Sequence, residues 1–225
     1  MNTHKLMKAA AAAALSVGII VGASSCTTKG PEMDASGMTQ TQVEQQSLEE
    51  QFNTMADRYE RMQELLKEAQ LQVTDANTPW IWISSGIAPS QGIYAPTPLE
   101  GATAENSYFM QAVRAIHLPG ATGEKADLDP VIGFFEKQGG EVEVSGDVER
   151  GWTAMAVTSD GYRMSYQVQP NGQYNLDVVS DAFWGDTRGL LHAIADRIPD
   201  AESGREESLP GDFDVFPDWN ALTQQ

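Results

Sequence analysis

The chain has 225 residues and a formal net charge of −18, with 32 acidic against 14 basic residues. Nucleic-acid binding needs clustered Lys and Arg, so this composition argues against a nucleic-acid partner. The length is sufficient for one domain of ordinary size with a sizeable core.

The first 25 residues are typical of a secretion signal. Lys5 and Lys8 precede an apolar run over residues 9–23, and small residues follow up to Cys26. This order of positive, apolar and small residues is the signal-peptide pattern, and the apolar run is shorter than the ~20 residues that span a bilayer. We therefore expect residues 1–25 to be removed. The loss of both lysines and of no acid takes the formal net charge from −18 to −20.

Cys26 is the only cysteine and directly follows Ala23-Ser24-Ser25. This is the pattern of a lipobox, which predicts cleavage before Cys26 and a lipid on its thiol. The protein would then be held at the outer face of the cell membrane by acyl chains, with the membrane as a partner through Cys26. The alternative is an ordinary secretion signal followed by an incidental free thiol, which is a liability on a secreted chain.

The rest of the chain divides into three parts by composition. Residues 26–42 are small and polar without an apolar period, which predicts a flexible tether. Residues 43–200 carry the apolar patterns of a single domain, and residues 201–225 form an acidic tail.

A long amphipathic helix is predicted at the start of the domain, over residues 43–73. Apolar residues recur there at alternating steps of four and three, as one helical stripe requires. Ser47, with Glu50 or Gln51 nearby, is a local cap. We favour packing of this helix on its own domain over a coiled-coil dimer, and we expect a monomer. The stripe consists of Leu48, Phe52, Met55, Tyr59, Met62 and Leu66.

The next segments alternate between regular and irregular patterns. Residues 79–83 are aromatic and β-branched, which predicts a strand. Residues 84–106 are rich in Gly and Pro, and a loop of that length in a compact domain is either functional or mobile. Residues 107–118 are predicted to form a helix that buries Phe109, Val113 and Ile116.

An α+β fold follows from the second half of the domain. Asp129-Pro130 begins a helix that ends at Gly139-Gly140. Alternating runs joined by Asp160-Gly161 and Asn171-Gly172 predict β-hairpins, and a last helix starts after Asp186. The predicted fold is an antiparallel meander sheet of about four to five strands, covered on one face by helices and preceded by the long helix.

Two common catalytic motifs are absent from the sequence. There is no Gly-x-Ser-x-Gly elbow or Gly-rich phosphate loop, and the histidines left after removal of the signal, His117 and His192, are far apart. We expect no enzyme activity, no cofactor and no metal. A carboxylate pair facing a cleft would reopen the catalytic alternative. Asp212, Asp214 and Asp218 could contact calcium, but a solvated acidic tail is favoured.

Aromatic side chains are the candidate binding residues. Alternation places Trp80 with Trp82 on one face of a strand, and Tyr162 with Tyr166 on one face of another. Such residues either belong to the core or line a groove for a lipid or a glycan. The candidate groove consists of Trp80, Trp82, Trp152, Tyr162 and Tyr166.

From the Gly-ended helix onward, the chain resembles small actinobacterial cell-envelope lipoproteins of the LppA type. The resemblance rests on the helix over residues 134–140, the Asp160-Gly161-Tyr162 turn, the segment 171–176 (NGQYNL) and the aromatic pair Phe183-Trp184. It covers about half of the chain and implies an α+β fold and an envelope location, without a catalytic residue. The sequence thus predicts a non-enzymatic binding module whose partner is an envelope protein, a lipid or a glycan.

Overall fold

The computed structural model describes residues 32–198 and 206–221. Cys26, the predicted signal 1–25 and part of the acidic tail lie outside these residues. The helices described are α1 (Gln40–Glu44), α2 (Leu48–Val73), α3 (Asp129–Gly139) and α4 (Thr187–Ala195). The strands are β1 (Trp80–Ser84), β2 (Ser90–Gln91), β3 (Ser107–Phe109), β4 (Gln111–His117), β5 (Glu143–Asp147), β6 (Gly151–Val157), β7 (Tyr162–Val168), β8 (Gln173–Ser180), β9 (Phe183–Trp184) and β10 (Glu207–Ser208).

The main sheet is antiparallel and has the strand order β10-β1-β4-β8-β7-β6-β5. Its β5–β8 half is the predicted meander, and Gly161 and Gly172 occupy its turns with φ of 83° and 79°. The sheet has seven strands, so the predicted four to five are too few, because β4, β1 and β10 extend the meander beyond β8. Strands β2, β3 and β9 form a second, small sheet.

The helix predicted over residues 107–118 is wrong. This segment forms β3 and β4, and β4 pairs along its whole length with β8, from Gln111 opposite Val179 to His117 opposite Gln173. The long-range pairing with β8 overrides the helical spacing of the apolar residues. His117 therefore lies at the end of a strand, not of a helix.

Helices α2 and α3 pack on one face of the main sheet. Helix α2 begins with the predicted cap: Ser47 Oγ accepts from the backbone N–H of Glu50, whose side chain accepts in return from the backbone N–H of Ser47. Its stripe lies in the core, where Met55 and Met62 are fully buried. The chain's own sheet therefore covers the stripe. This agrees with the prediction that the helix packs on its own domain rather than in a coiled-coil dimer. Helix α3 has Pro130 in its first turn and Gly140 as its C-cap, as predicted, but Leu128 and not Asp129 occupies the N-cap position.

The flexible tether predicted over residues 26–42 is wrong for residues 32–42. Residues 32–44, here called the strap, lie on the domain: Met33 bridges Thr39, α1 follows, and Val43 is buried. Residues 26–31 lie outside the described part of the chain. Long-range contacts order the strap despite its polar composition.

The acidic tail is also part of the domain over residues 206–221. Strand β10 pairs with the edge of β1, and the following aromatic residues pack on the outer side of α2. Phe216 and Trp219 have ring centroids 5.0 and 5.2 Å from that of Phe52. Helix α2 is thus enclosed between the sheet and this segment. The segment is ordered although it carries many acidic residues.

Candidate functional site

The strand register places the irregular parts of the domain at one end of the main sheet. The turn after β6, the end of β8 and the start of β4 meet there, because Gln111 lies opposite Val179 and Tyr162 opposite Ser180. Loop 84–106, the strap and α4 adjoin this end, here called the loop end. The β5–β6 and β7–β8 hairpins lie at the opposite end, about 20 Å away along seven-residue strands.

Asp34 holds the strap to the loop end. Its side chain is fully buried, and its Oδ1 accepts from the backbone N–H groups of Ser36 at 2.9 Å and Met38 at 3.0 Å. Its Oδ2 accepts from the backbone N–H of Trp184 at 3.2 Å, and the indole Nε1 of Trp184 donates to the carbonyl of Glu32 at 3.3 Å. Trp184 of β9 thus donates two hydrogen bonds to the strap, one from its backbone and one from its side chain.

Arg58 of α2 supplies the positive charge next to Asp34. Its guanidinium lies 3.9 Å from Asp34 Oδ2, donates to Tyr108 Oη at 2.6 Å and stacks 3.8 Å from the centroid of the Phe183 ring. Burial raises the pKa of Tyr108, although Arg58 opposes this shift. A buried carboxylate needs such compensation, because an unpaired charge in a low dielectric is costly.

A groove of about 510 Å³ lies at the loop end, between loop 84–106 and α4. This volume is within the range of small-molecule sites. Its walls combine an aromatic ring, an aliphatic side chain and several hydrogen-bonding groups. They include Ser90, Gln91, Tyr94, Arg188, Leu191 and His192.

Several contacts hold the two walls in place. Asp186 caps α4 by accepting from the backbone N–H of Gly189 at 2.9 Å, and its own N–H donates to Gln51 at 2.9 Å. Thr187 Oγ1 donates to the carbonyl of Ser107 at 2.6 Å, which joins α4 to the end of the loop. The groove is thus built on secondary-structure contacts, although one wall is irregular.

Two of the apolar side chains that line this groove are more exposed than the aromatic side chains of the groove predicted from the sequence. Tyr94 is 72% exposed and Leu191 43% exposed, so both present apolar surface to solvent. Arg188 lies 3.8 Å from Glu105, with side chains 74% and 76% exposed. A pair so exposed contributes little and leaves the guanidinium available to a ligand.

Two further grooves flank the first. One of about 310 Å³ is lined by Val43 of the strap, Glu105 and Trp184. The other, of about 500 Å³, lies beyond α4 and includes His192 and Trp219. Because the grooves share Glu105, Asp186 and His192 among their lining residues, they form one continuous surface at the loop end.

The aromatic groove predicted on the sheet is wrong as a site. The same-face predictions for Trp80 with Trp82 and for Tyr162 with Tyr166 are confirmed, but that face is the one that α2 and α3 cover. Trp80, Tyr162 and Tyr166 are at most 2% exposed, and Trp152 packs partly buried against the same core. These rings fill the core and line no open groove.

The buried side chain of Arg114 covers one face of the Trp82 ring. Arg114 of β4 is 1% exposed, and its guanidinium stacks 3.5 Å from the centroid of the Trp82 ring. Arg114 also donates to the carbonyl of Ser84 at 2.6 Å and to Ser208 Oγ at 3.2 Å. These contacts join β4 to β1 and β10. The stacked guanidinium leaves the near face of the indole unavailable to a ligand.

The opposite face of the main sheet is open and has polar residues at its centre. Asp177 and Ser165 lie opposite each other there, and Arg163 is half-buried nearby. Burial raises the pKa of Asp177, against the effect of a hydrogen bond with Gln111. Ile81 and Ile83, 38% and 54% exposed, flank this region on β1.

The groove residues form no nucleophile–base pair within the described part of the chain. Ser90 and His192 both line the groove, but no hydrogen bond joins their side chains. Across residues 32–198 and 206–221, no group of three His, Cys, Asp or Glu side chains could hold a metal ion. The same residues contain no helix that is long and apolar enough to cross a membrane.

From the sequence, loop 84–106 is expected to be either functional or mobile, and no pattern connects it with α4. In the sequence, His192 is noted only for its distance from His117, and Arg188 is not singled out. The signal that could have joined them is the cap at Asp186, which predicts a helix start close to the loop. Comparison with protein-family models, curated proteins and solved structures finds no match to this chain.

Proposed function

We propose that this chain is a lipid-anchored, non-enzymatic binding module at the outer face of the cell membrane. The support for the anchor is the signal pattern of residues 1–25, followed directly by the only cysteine, Cys26. Two or more acyl chains on Cys26 would hold the protein firmly, because each buried methylene contributes ~0.8 kcal/mol. Under this proposal the protein is an envelope lipoprotein of the LppA type, is a monomer and needs no cofactor.

The observation that carries the binding role is the open groove beside α4. Its volume of about 510 Å³, the exposed ring of Tyr94 and the polar groups around it suit a ligand with both apolar and hydrogen-bonding surface. An envelope protein loop or a membrane component would meet these requirements.

A glycan ligand is the second candidate, and Tyr94 favours it. The apolar faces of sugar rings stack on exposed aromatic rings, while Gln91 and Arg188 supply hydrogen bonds at the groove wall. This role moves the predicted lipid- or glycan-binding function from the sheet face to the loop end.

The anchor is tested by metabolic labelling with an alkyne fatty acid. We expect label on the wild-type chain and none on Cys26→Ala, which should also leave the membrane fraction. Unchanged labelling of the variant would refute the anchor.

The groove is tested with the full-length protein and soluble fragments of cell-wall glycan, by ligand-observed NMR. Tyr94→Ala and Arg188→Ala should each weaken binding, whereas Val148→Ala, 79% exposed in the hairpin at the opposite end, should not. Equal binding by all three variants would exclude the groove as the glycan site.

A further inference from the structure

We propose that the strap holds the domain against the membrane with its loop end facing the lipid headgroups. The inference rests on the proposed lipid at Cys26. The partner of this surface is the bilayer that carries the anchor, so the grooves around α4 open close to the membrane.

The first step is the length of chain between the lipid and the ordered domain. The backbone is fixed from Glu32 onward, where the Trp184 indole contacts the Glu32 carbonyl. Cys26 and Glu32 are six residues apart, and a fully extended chain of that length reaches about 20 Å. A tether that extended to residue 42 would have reached about 55 Å and allowed every orientation.

The second step is the strength of the strap's attachment. Release of the strap would expose the side chains of Asp34 and Arg58 to solvent. In the attached state these side chains are 0% and 11% exposed. Ala35 lies directly over Gly161 of the β6–β7 turn, where an added Cβ would come within 2.2 Å of the Ala35 Cβ. The strap is therefore fitted to its site and shares the orientation of the sheet.

The third step is the identity of the sheet end that the strap contacts. The strap contacts the β6–β7 turn and β9, both at the loop end. The β5–β6 hairpin, with Val148 79% exposed, lies at the other end of β6. Since Glu32, the first residue of the strap, must stay within about 20 Å of the lipid, the loop end faces the bilayer and the hairpin faces away.

Charge keeps this contact at the headgroup level. The chain without residues 1–25 has a formal net charge of −20, which disfavours close adsorption to anionic lipid. The domain is thus held near the surface by its short link, while repulsion prevents it from lying flat.

The test uses the full-length lipidated protein in vesicles of phosphatidylcholine and phosphatidylglycerol that carry a nitroxide quencher on the headgroup. A fluorophore is placed on an added cysteine, Thr41→Cys in α1 or Val148→Cys in the hairpin; lipid blocks Cys26. We expect a larger loss of fluorescence at position 41 than at 148. Both positions are exposed, so neither label disturbs the core.

A matched variant carries a long Gly–Ser insertion between residues 30 and 31, which leaves the strap intact. The difference between the two labels should disappear in this variant, and a difference that persisted would overturn the role of the short link. Equal loss of fluorescence at both positions without the insertion would overturn the orientation. Flotation of Cys26→Ala with the vesicles would instead refute the lipid anchor, so the two failures are distinguishable.

Discussion

Asp177 is a carboxylate that the fold disfavours in its charged form. It lies at the centre of the open sheet face, and burial raises its pKa. A group whose pKa is raised on folding stabilises the folded state below its unfolded pKa and loses that contribution as the pH rises. At neutral pH the charge on Asp177 therefore reduces the free energy of unfolding.

We predict that Asp177→Asn raises the free energy of unfolding at neutral pH. The gain should shrink as the pH falls towards about 3, where Asp177 is itself protonated. Urea unfolding at both pH values measures the effect. Asp57→Asn, at an exposed position of α2, is the control and should give no comparable gain. A loss of stability in Asp177→Asn at neutral pH would contradict the prediction.

Two glycines separate the cost of a positive φ from the cost of a steric clash. Gly161 and Gly37 have φ of 83° and 79°. An added Cβ at Gly161 meets Ala35, whereas at Gly37 nothing lies within 4 Å. We predict that Gly37→Ala lowers the free energy of unfolding by about 1 kcal/mol and that Gly161→Ala lowers it by more. Thermal unfolding measures both, and equal losses would show that the strap does not fit closely over Gly161.

At the scale of elements, local patterns predicted what local contacts decide. The α2 stripe, the Ser47 cap and the Asp160-Gly161 turn each depend on residues close in sequence, and each is confirmed. The sequence predicts a helix over residues 107–118 because the apolar residues there have helical spacing. The charged Arg114 hides the alternation of β4, since its burial depends on Trp82 and Ser84 of a different strand.

The candidate site was harder to predict than the fold. Alternation correctly paired Trp80 with Trp82, but it cannot tell which face of a sheet the helices cover. The groove instead joins loop 84–106 to α4, which are about a hundred residues apart in the chain. The ordered strap was missed for the same reason, because Asp34 finds Arg58 and Trp184 only in the folded protein.

The segment after residue 205 acts as a structural element despite its acidic composition. Trp219 packs on Phe52, and the Arg197 guanidinium lies 4.1 Å from the centroid of the Trp219 ring. Arg197 also donates to the Trp219 carbonyl at 2.7 Å. This segment therefore joins the end of α4 to the start of α2.

We predict that Trp219→Ala lowers the free energy of unfolding by about 2 kcal/mol, because a partly buried ring loses its contacts and leaves a cavity. The control is Val215→Ala in the same segment, where the side chain is 83% exposed and little change is expected. Urea unfolding compares the two variants. Equal, small losses would indicate that the segment does not contribute to the stability of the domain.

At the scale of the whole molecule, the two ends of the sheet differ in structure. The β5–β6 and β7–β8 hairpins close one end, whereas the strap, loop 84–106 and α4 form the grooved surface at the other. The core between them is rich in tyrosine, with Tyr108, Tyr162, Tyr166 and Tyr174 at most 2% exposed. These rings couple the stability of the whole domain to alkaline pH.

Burial raises the pKa of each of the four tyrosines. Their contribution to stability is complete below the unfolded pKa of about 10 and is lost as the pH rises through the higher folded values. We predict that the free energy of unfolding is steady near pH 9 and falls above about pH 10. Urea unfolding followed by circular dichroism measures this dependence. Tyr166→Phe should reduce the slope of the loss, because it removes one titrating group with a raised pKa from the core. Tyr94→Phe, at a position 72% exposed, should leave the slope unchanged; an equal reduction by both variants would contradict the assignment of the loss to the buried rings.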